Sequence, residues 1–494
     1  MHRRDLARVT AATLVGGALP RLPLWARTNP TPEPHDDLSE GLAALVRKHR
    51  VPGALAGVYR QGKVLTAGAG LANLNTGTPM TADLGFVTGS ITKVWTCTLV
   101  MTFVDEGKID LDRPLIEYLP HLKFGDAETT RRVTTRNLLN HSSGIDAGDY
   151  ILDLGEGPCA NRLYVEALAK IGQIHPLGKY SSYCNAGWVL AGHLLEFLTG
   201  KGWHELLTER VIKPLGATHT YAYAEDGILH GVAVGSVPDP NKPGEHMATP
   251  KFLLPKTFAP AGATLVPTLE DNLLLARMHM RGGVALNGTR VISEKSARSM
   301  ATRTIDAPSG PGSGFGLGWF HSTAGGQVTL SHGGGSNGGR ANLVAVPGSD
   351  FAYATFVNSN AADAFANELH AWLVKDFHPS PPPEVPIPVV TGPISRAPFV
   401  GVFRRMTSKT TIREEGDALG VDSEWIAAEA PGTEAYVIGR QVHFAMRPSD
   451  KDKLVSAAAP AASRPVPWYF LEPDSSGRYQ YMYSGGRLAR RLSD

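Results

Sequence analysis

The chain has 494 residues, of which 42% are hydrophobic, a composition typical of a folded globular protein with more than one domain. Its 48 Lys and Arg residues nearly balance 46 Asp and Glu residues, and the formal net charge of +2 predicts no nucleic-acid partner. No apolar run reaches the roughly 18 residues that a spanning helix needs, so no membrane span is predicted.

The cysteines and histidines predict neither a metal site nor a cofactor. Cys97, Cys159 and Cys184 form no C-x-x-C pair, and three cysteines cannot build a disulfide framework. A single bridge between two of them stays open. The 17 histidines include no H-E-x-x-H motif.

The first 26 residues have the pattern of an export signal. Arg3 and Arg4 precede a mildly apolar stretch with a proline-rich exit near Ala26. This pattern is typical of a signal peptide of the twin-arginine type and predicts a periplasmic or secreted protein. A disordered basic start is the alternative.

Further along the chain, hydrophobic periodicity predicts a helix in "DDLSEGLAALVRKHRV" and then a hairpin around Gln61-Gly62. Three more helices are predicted at Ile91–Asp105, Asn185–Leu198 and Leu269–Met280, and strand-like runs return from "FGLGWFHS" to "FAYATFVNS". Strands at both ends of a helical middle predict one sheet assembled from the two ends, with helices packed against it.

A proline-rich linker at residues 379–393 divides a large domain, residues 27–378, from a tail, residues 394–494. The tail has β character, and "WYFLEPDSSGRYQYMYSGG" predicts a hairpin with one aromatic face. About a hundred residues suffice for a small barrel or sandwich.

Ser90 and Lys93 are three residues apart at the start of a predicted helix, so their side chains share one face. A nearby amine of lowered pKa can take the serine proton and make the hydroxyl a nucleophile. The spacing alone also fits a solvated helix surface. The flanking residues are nevertheless apolar: Phe86, Val87, Val94, Trp95, Leu99 and Val100.

Two later motifs carry compatible chemistry. In Tyr183-Cys184-Asn185, the tyrosine could act as a general base and the asparagine could hold a substrate amide. A packed tyrosine followed by a capping asparagine is the alternative.

In "LSHGGGSNGGRANLVAVP", the glycines after His332 allow close backbone approach, and an N–H there could form an oxyanion hole with that of Ser90. A plain glycine-rich turn is the alternative. The G-x-S-x-G match around Ser336 is rejected as a nucleophile, because no helix follows it.

In this order, the S-x-x-K, Y-x-N and His-Gly-Gly motifs resemble the class C β-lactamase family and its relatives, the penicillin-recognising serine hydrolases. "VTTRNLLNHSSGI" and "VIKPLGATHT" are also similar to family segments. The resemblance covers Leu38 to Asn358 and implies an α+β fold, an antiparallel sheet flanked by helices with an all-helical lobe. The tail resembles the small lipocalin-like β-barrels of some family peptidases; a carbohydrate- or surface-binding module is its alternative.

The resemblance implies three catalytic residues: Ser90 as nucleophile, Lys93 as its activator and Tyr183 as general base. It implies four substrate-binding residues: Asn185, His332, Gly334 and Gly335, the last sharing an oxyanion hole with Ser90. Many penicillin-binding members have Lys where this chain has His332, so a fixed cation for a substrate carboxylate is in doubt. Arg340 is a weak substitute, because a surface position in a turn suits it better.

These features predict a serine hydrolase that forms an acyl-enzyme at Ser90. The favoured substrates are short, modified or D-amino-acid-containing peptides, because the strand edge at His332 can pair with an extended chain. A β-lactamase-fold carboxylesterase and a penicillin-binding sensor without turnover remain alternatives. The partners expected are a small peptide or ester substrate and, through the tail, further copies of the chain in a homo-oligomer.

Overall fold

The computed structural model describes residues 36–310, 312–381, 394–426, 441–458 and 466–493. The predicted signal peptide and most of the predicted linker lie outside these ranges. Every helix within the ranges is too short or too polar to cross a membrane. The three cysteines are free, so the single bridge left open by the sequence is absent.

The large domain alternates helices with the strands of a nine-stranded sheet and of a separate two-stranded sheet. Its helices in the described ranges are α1 Asp36–His49, α2 Thr92–Asp105, α3 Ala127–Arg132, α4 Thr135–Leu139, α5 Gly157–Ala167, α6 Ala186–Thr199, α7 Trp203–Leu207, α8 Lys213–Leu215, α9 Ala224–Gly227, α10 Leu269–Met280, α11 Glu294–Ala301 and α12 Asp363–Phe377. Its strands are β1 Gly53–Arg60, β2 Lys63–Asn73, β3 Thr78–Pro79, β4 Ser236–Pro238, β5 His246–Ala248, β6 Ile305–Asp306, β7 Ser313–Phe315, β8 Phe320–Ala324, β9 Gln327–Ser336, β10 Gly339–Val346 and β11 Phe351–Val357.

The main sheet is assembled from both ends of the large domain, as predicted. Its strand order is β3-β2-β1-β11-β10-β9-β8-β7-β6, and β1 pairs with β11 in antiparallel fashion. Both faces of β1 are covered: α1 and α12 pack on one, while α2, α6 and α10 belong to the larger core on the other. The predicted α+β class is confirmed.

Helix α2 runs through the middle of this larger core. Its residues from Thr92 to Phe103 are all buried, which explains why its sequence is apolar on every side. The predicted helices at α2, α6 and α10 are present with ends that agree to within one residue. The start of α2 therefore places Ser90 and Lys93 against the core and not on a solvated face.

The tail forms a closed antiparallel barrel, which confirms the barrel prediction. Its strands are β12 Gly401–Arg405, β13 Ser408–Glu415, β14 Ala418–Trp425, β15 Gln441–Asp450, β16 Lys453–Ser456, β17 Trp468–Pro473, β18 Tyr479–Ser484 and β19 Arg487–Arg491. The barrel has its own interior core. A separate apolar cluster docks it onto the large domain, where Ile174 packs with Tyr481, Tyr483 and Leu488.

Candidate active site

Ser90 lies in a single 3₁₀ turn, Gly89–Ile91, that leads into α2. Gly89 has a φ of 58°, and a Cβ added there would lie 2.7 Å from the Gly335 nitrogen. A Cβ added at Gly334 would lie 3.2 Å from the Ser90 nitrogen. The glycines therefore let β9 pack directly on the turn and bring the two backbone nitrogens of the predicted oxyanion hole together.

Lys93 is fully buried, one helical turn from Ser90. Its Nζ donates to Ser90 Oγ at 3.1 Å and also to the Ala261 carbonyl. Burial, and then the charge of Arg487, hold the pKa of Lys93 well below its usual value. A neutral amine at hydrogen-bond distance from a serine hydroxyl can accept its proton.

Tyr183 completes the group of predicted catalytic residues around Ser90. The Lys93 Nζ lies 5.1 Å from the centre of the Tyr183 ring. Burial raises the pKa of Tyr183, and hydrogen bonding to Ser90 and the charge of Arg487 oppose that rise only in part. Tyr183 is therefore a protonated phenol in the resting site, so the amine of Lys93 is the readier proton acceptor.

Two aromatic rings fix the orientation of Tyr183. The His141 ring stacks on it with centroids 4.3 Å apart, and the Phe320 ring lies parallel to it at 5.9 Å. Such stacked arrangements restrict a ring to one rotamer and one plane. The hydroxyl of Tyr183 is thus directed by packing as well as by hydrogen bonding.

His141 is a residue of the site that the sequence did not assign. It has a left-handed φ of 62°, its Nδ1 accepts from the Cys184 N–H at 3.0 Å, and its carbonyl accepts from the Ser182 N–H at 2.9 Å. Burial, and then Lys93, lower the pKa of His141, which keeps its ring neutral. Non-glycine residues in this conformation cluster at functional sites. The one signal for His141 in the sequence is that it lies in "VTTRNLLNHSSGI", the segment that is similar to the family.

Asn185 is placed immediately before α6, two residues after Tyr183. Its Nδ2 donates to the Gly148 carbonyl at 2.8 Å, and its side chain is half-buried. This bond orients the side-chain oxygen as an acceptor, the group that a substrate amide N–H needs. Its role in binding substrate stays a prediction.

His332 gives the third motif no charge. Its side chain is buried, and its Nδ1 lies 2.7 Å from the Gly333 carbonyl. Burial, and then the neighbouring Lys93, lower the pKa of His332 to about 3, so the ring is neutral. Arg340 does not replace the missing cation, because its guanidinium bonds the Asn360 carbonyl and pairs with Asp363.

The cation beside the catalytic group comes from the barrel. The Arg487 guanidinium lies 4.9 Å from the centre of the Tyr183 ring, and its Nη2 donates to Asp149 Oδ1 at 2.7 Å. The preceding residue also contributes, since the Gly486 carbonyl accepts from the Tyr183 N–H at 2.9 Å. The turn between β18 and β19 therefore forms one wall of the site, which no motif in the sequence indicates.

Comparison with known proteins agrees with these features. The family model described as Beta-lactamase matches residues 4–375. Penicillin-binding protein 4 of Amycolatopsis lactamdurans is 35% identical over 384 residues, 76% of this chain and 98% of that protein. A D-aminopeptidase of Brucella anthropi is 31% identical over 188 residues, 36% of this chain and 35% of that protein.

Among solved structures, the crystal structure of SurE with D-Leu aligns with a TM-score of 0.69 and 27% identity. The alignment covers 92% of this chain and 99% of that one, so the similarity extends beyond the residues that the family model matches. Together these similarities confirm the resemblance that the three motifs indicated.

Proposed function

Because this chain belongs to the Beta-lactamase family of serine hydrolases, we propose that it hydrolyses amide bonds through an acyl-enzyme on Ser90. Its substrates in this proposal are short, modified or D-amino-acid-containing peptides. One observation carries the proposal: the buried Nζ of Lys93, whose pKa is lowered, lies 3.1 Å from Ser90 Oγ. That pair is an activated nucleophile.

The proposed reaction begins when Ser90 Oγ attacks the substrate carbonyl and its proton moves to the neutral Lys93 Nζ. The oxyanion that forms is stabilised by the backbone N–H groups of Ser90 and Gly335. A proton then passes through the Tyr183 hydroxyl to the leaving amine, and the C–N bond breaks. Water then attacks the acyl carbonyl and gives a proton through Tyr183 to Lys93. The ester bond to Ser90 breaks, a proton returns to Ser90 Oγ, and the acid is released.

Similarity to two proteins associated with D-amino acids supports the substrate class. One relative is named D-aminopeptidase, and SurE was crystallised with D-Leu. The neutral His332 argues against an efficient β-lactamase, because a penicillin carboxylate would find no charge at the third motif. The proposal also includes export of the chain and its assembly into a homo-oligomer.

The experiment compares the wild-type protein with Ser90→Ala on one mixture of L- and D-peptides, a short-chain ester and a chromogenic cephalosporin, followed by mass spectrometry. We expect peptide cleavage by the wild type, an acyl adduct on Ser90, and background rates for Ser90→Ala. The matched control is Ser299→Ala on helix α11, which should keep full activity.

Three outcomes would contradict the proposal. Cleavage of the ester alone would identify a carboxylesterase. A stable cephalosporin adduct without product would identify a sensor. Peptide cleavage that persists in Ser90→Ala would remove the mechanism.

A further inference from the structure

A cavity of about 290 Å³ lies between the large domain and the barrel. On one side it is bounded by β7 and β8 and by Ser331 of β9, and on the other by β17, the end of β18 and the turn that follows. It is close to the roughly 300 Å³ at which small-molecule sites begin. Neither domain forms this cavity alone.

Tyr183 does not line the cavity, but two of the residues that contact Tyr183 do. Phe320 lines it, and the same ring lies parallel to that of Tyr183 and 4.9 Å from the centre of the His332 ring. Gly486 lines it as well, and its carbonyl accepts from the Tyr183 N–H. One ring and one backbone segment therefore separate the cavity from Tyr183.

The position of the cavity along β9 indicates which part of a substrate it would hold. Gly335 marks the oxyanion end, and Ser331 of the cavity lies four residues earlier on the same strand, about 13 Å away. In the proposed reaction Tyr183 delivers the proton to the leaving amine, and Tyr183 is the catalytic residue whose neighbours Phe320 and Gly486 line the cavity. The cavity thus lies on the leaving-group side of the scissile bond.

The lining of the cavity selects against charge. Its described residues include no Asp, Glu, Lys or Arg, and burial lowers the pKa of the His321 ring that lines it. A charged group placed there would therefore lose hydration without gaining an ionic partner among these residues. The cavity is lined by apolar groups and by hydrogen-bonding groups. They include the rings of Phe315, Phe320, Tyr469 and Tyr483 and the hydroxyls of Ser331 and Ser484. Aromatic walls with a few hydroxyls suit an apolar side chain on a peptide backbone.

We propose that this interdomain cavity is the subsite for the leaving-group part of the substrate, and that it takes one or two uncharged residues C-terminal to the cleaved bond. The inference rests on the proposed function and extends it: the barrel selects the peptide that is released. Substrates with an apolar residue in this part are preferred, and acidic or basic residues there are rejected.

The test uses one acyl residue that the full-length enzyme cleaves and varies only the leaving group. The series is ammonia, alanine amide, alanyl-phenylalanine amide and alanyl-glutamate amide. We expect kcat/KM to rise at least tenfold from ammonia to alanyl-phenylalanine amide, and to fall by a similar factor when glutamate replaces phenylalanine. These factors correspond to burial of one apolar side chain and to the cost of an unpaired charge.

A variant that fills the cavity gives a second readout. Ser484→Trp places a large ring in the cavity at the end of β18, and Ser475→Trp is the matched control in the exposed turn at the other end of that strand. We expect Ser484→Trp to lose the gain that alanyl-phenylalanine amide gives over the simple amide, mainly through KM, so the readout is the ratio of the two kcat/KM values within each variant. Ser475→Trp should behave as the wild type in both assays.

The outcomes separate this inference from the function on which it rests. If no member of the series is cleaved, or if cleavage survives Ser90→Ala, the proposed function fails. If the simple amide is cleaved but leaving-group length and charge have no effect on the wild type, the subsite alone is wrong. The wild-type series decides this even if Ser484→Trp does not fold.

Discussion

The two halves of the active site are held in different ways. Lys93 lies at the start of α2, whose residues from Thr92 to Phe103 are buried in the core of the large domain. Ser90 lies in the turn that leads into α2, and the contact of the two residues spans one helical turn. Tyr183 precedes α6, but much of what surrounds it comes from the barrel, some 300 residues further along the chain. The nucleophile is thus positioned by local structure and the proton donor by docking.

The barrel forms several hydrogen bonds with the segment around Tyr183. The Leu488 N–H donates to Ser182 Oγ at 3.1 Å, next to the bond from the Tyr183 N–H to the Gly486 carbonyl. Asp149 anchors Arg487 over the ring. This difference indicates that the barrel contributes directly to the active site. Its removal would leave the nucleophile intact, while Tyr183 would keep its ring contacts with His141 and Phe320 but lose the bond from its N–H.

The largest effect is expected on the locally built half. Lys93→Met keeps a long apolar stem in the core but removes the proton acceptor, so kcat/KM on the cleaved peptide should fall about 10³-fold. The melting temperature should stay the same or rise, because a buried amine is lost. Lys108→Met, an exposed lysine just beyond α2, is the control, and equal activities in the two variants would contradict the role of Lys93.

A smaller effect is expected on the docked half, from Arg487→Gln. The Arg487 charge lowers the pKa of both Lys93 and Tyr183, so its removal raises both. Lys93 must be neutral to accept a proton, and the acid limb of the pH–rate profile should therefore move to higher pH. We expect kcat/KM to fall at the pH values over which the acid limb has moved and to recover at higher pH, measured as pH–rate profiles of both proteins.

The control for this variant lies on the same strand. Arg490→Gln, three residues further along β19, removes an equal charge at an exposed position and should leave the pH profile unchanged. A fall in activity for Arg487→Gln with no shift of the acid limb would show that the arginine has a packing role only.

The sequence predicts those parts of the fold and of the site that depend on local contacts, and it misses those that depend on contacts between distant parts of the chain. The spacing of Ser90 and Lys93 and the periodicity of α2 and α6 depend on neighbouring residues, and the structure agrees with them. Arg487 gives no local signal, because its position depends on how the barrel docks. Arg340 is the cation that lies near the third motif in the sequence, but in the structure it pairs with the surface carboxylate of Asp363.

Docking itself can be weakened without touching a polar group. Leu488→Ala removes a fully buried side chain from the cluster between the domains, and Leu454→Ala removes one from the barrel interior. Each should cost about 2–5 kcal/mol, measured by urea unfolding. Only Leu488→Ala should also lower kcat several-fold below the melting transition, because it alone loosens the support of Tyr183. Equal loss of kcat in both variants would contradict the separate role of the docking cluster.

The smallest effect on activity is expected from a substitution of Glu196, a buried residue of α6 in the large domain. Glu196 of α6 is buried, and its oxygens accept from the Trp203 N–H and from Asn161 Nδ2, both at 2.9 Å. Burial raises the pKa of Glu196 to about 7, and the bonds from Trp203 and Asn161 lower it by less. The folded protein therefore binds a proton that the unfolded chain releases near pH 4.5, and stability falls as pH rises between these two values.

Glu196→Gln should remove this pH dependence, because a glutamine accepts from the Trp203 N–H and can donate to a reoriented Asn161 amide without ionising. The wild type should lose up to about 3 kcal/mol of unfolding free energy between pH 5 and pH 8 through this group, and the variant should lose correspondingly less. Glu166→Gln, at an exposed position, is the control. Because Trp203 and Asn161, the bonding partners of Glu196, belong to the large domain, kcat/KM should not change. A large loss of activity in Glu196→Gln would mean that α6, and not only the barrel, positions Tyr183.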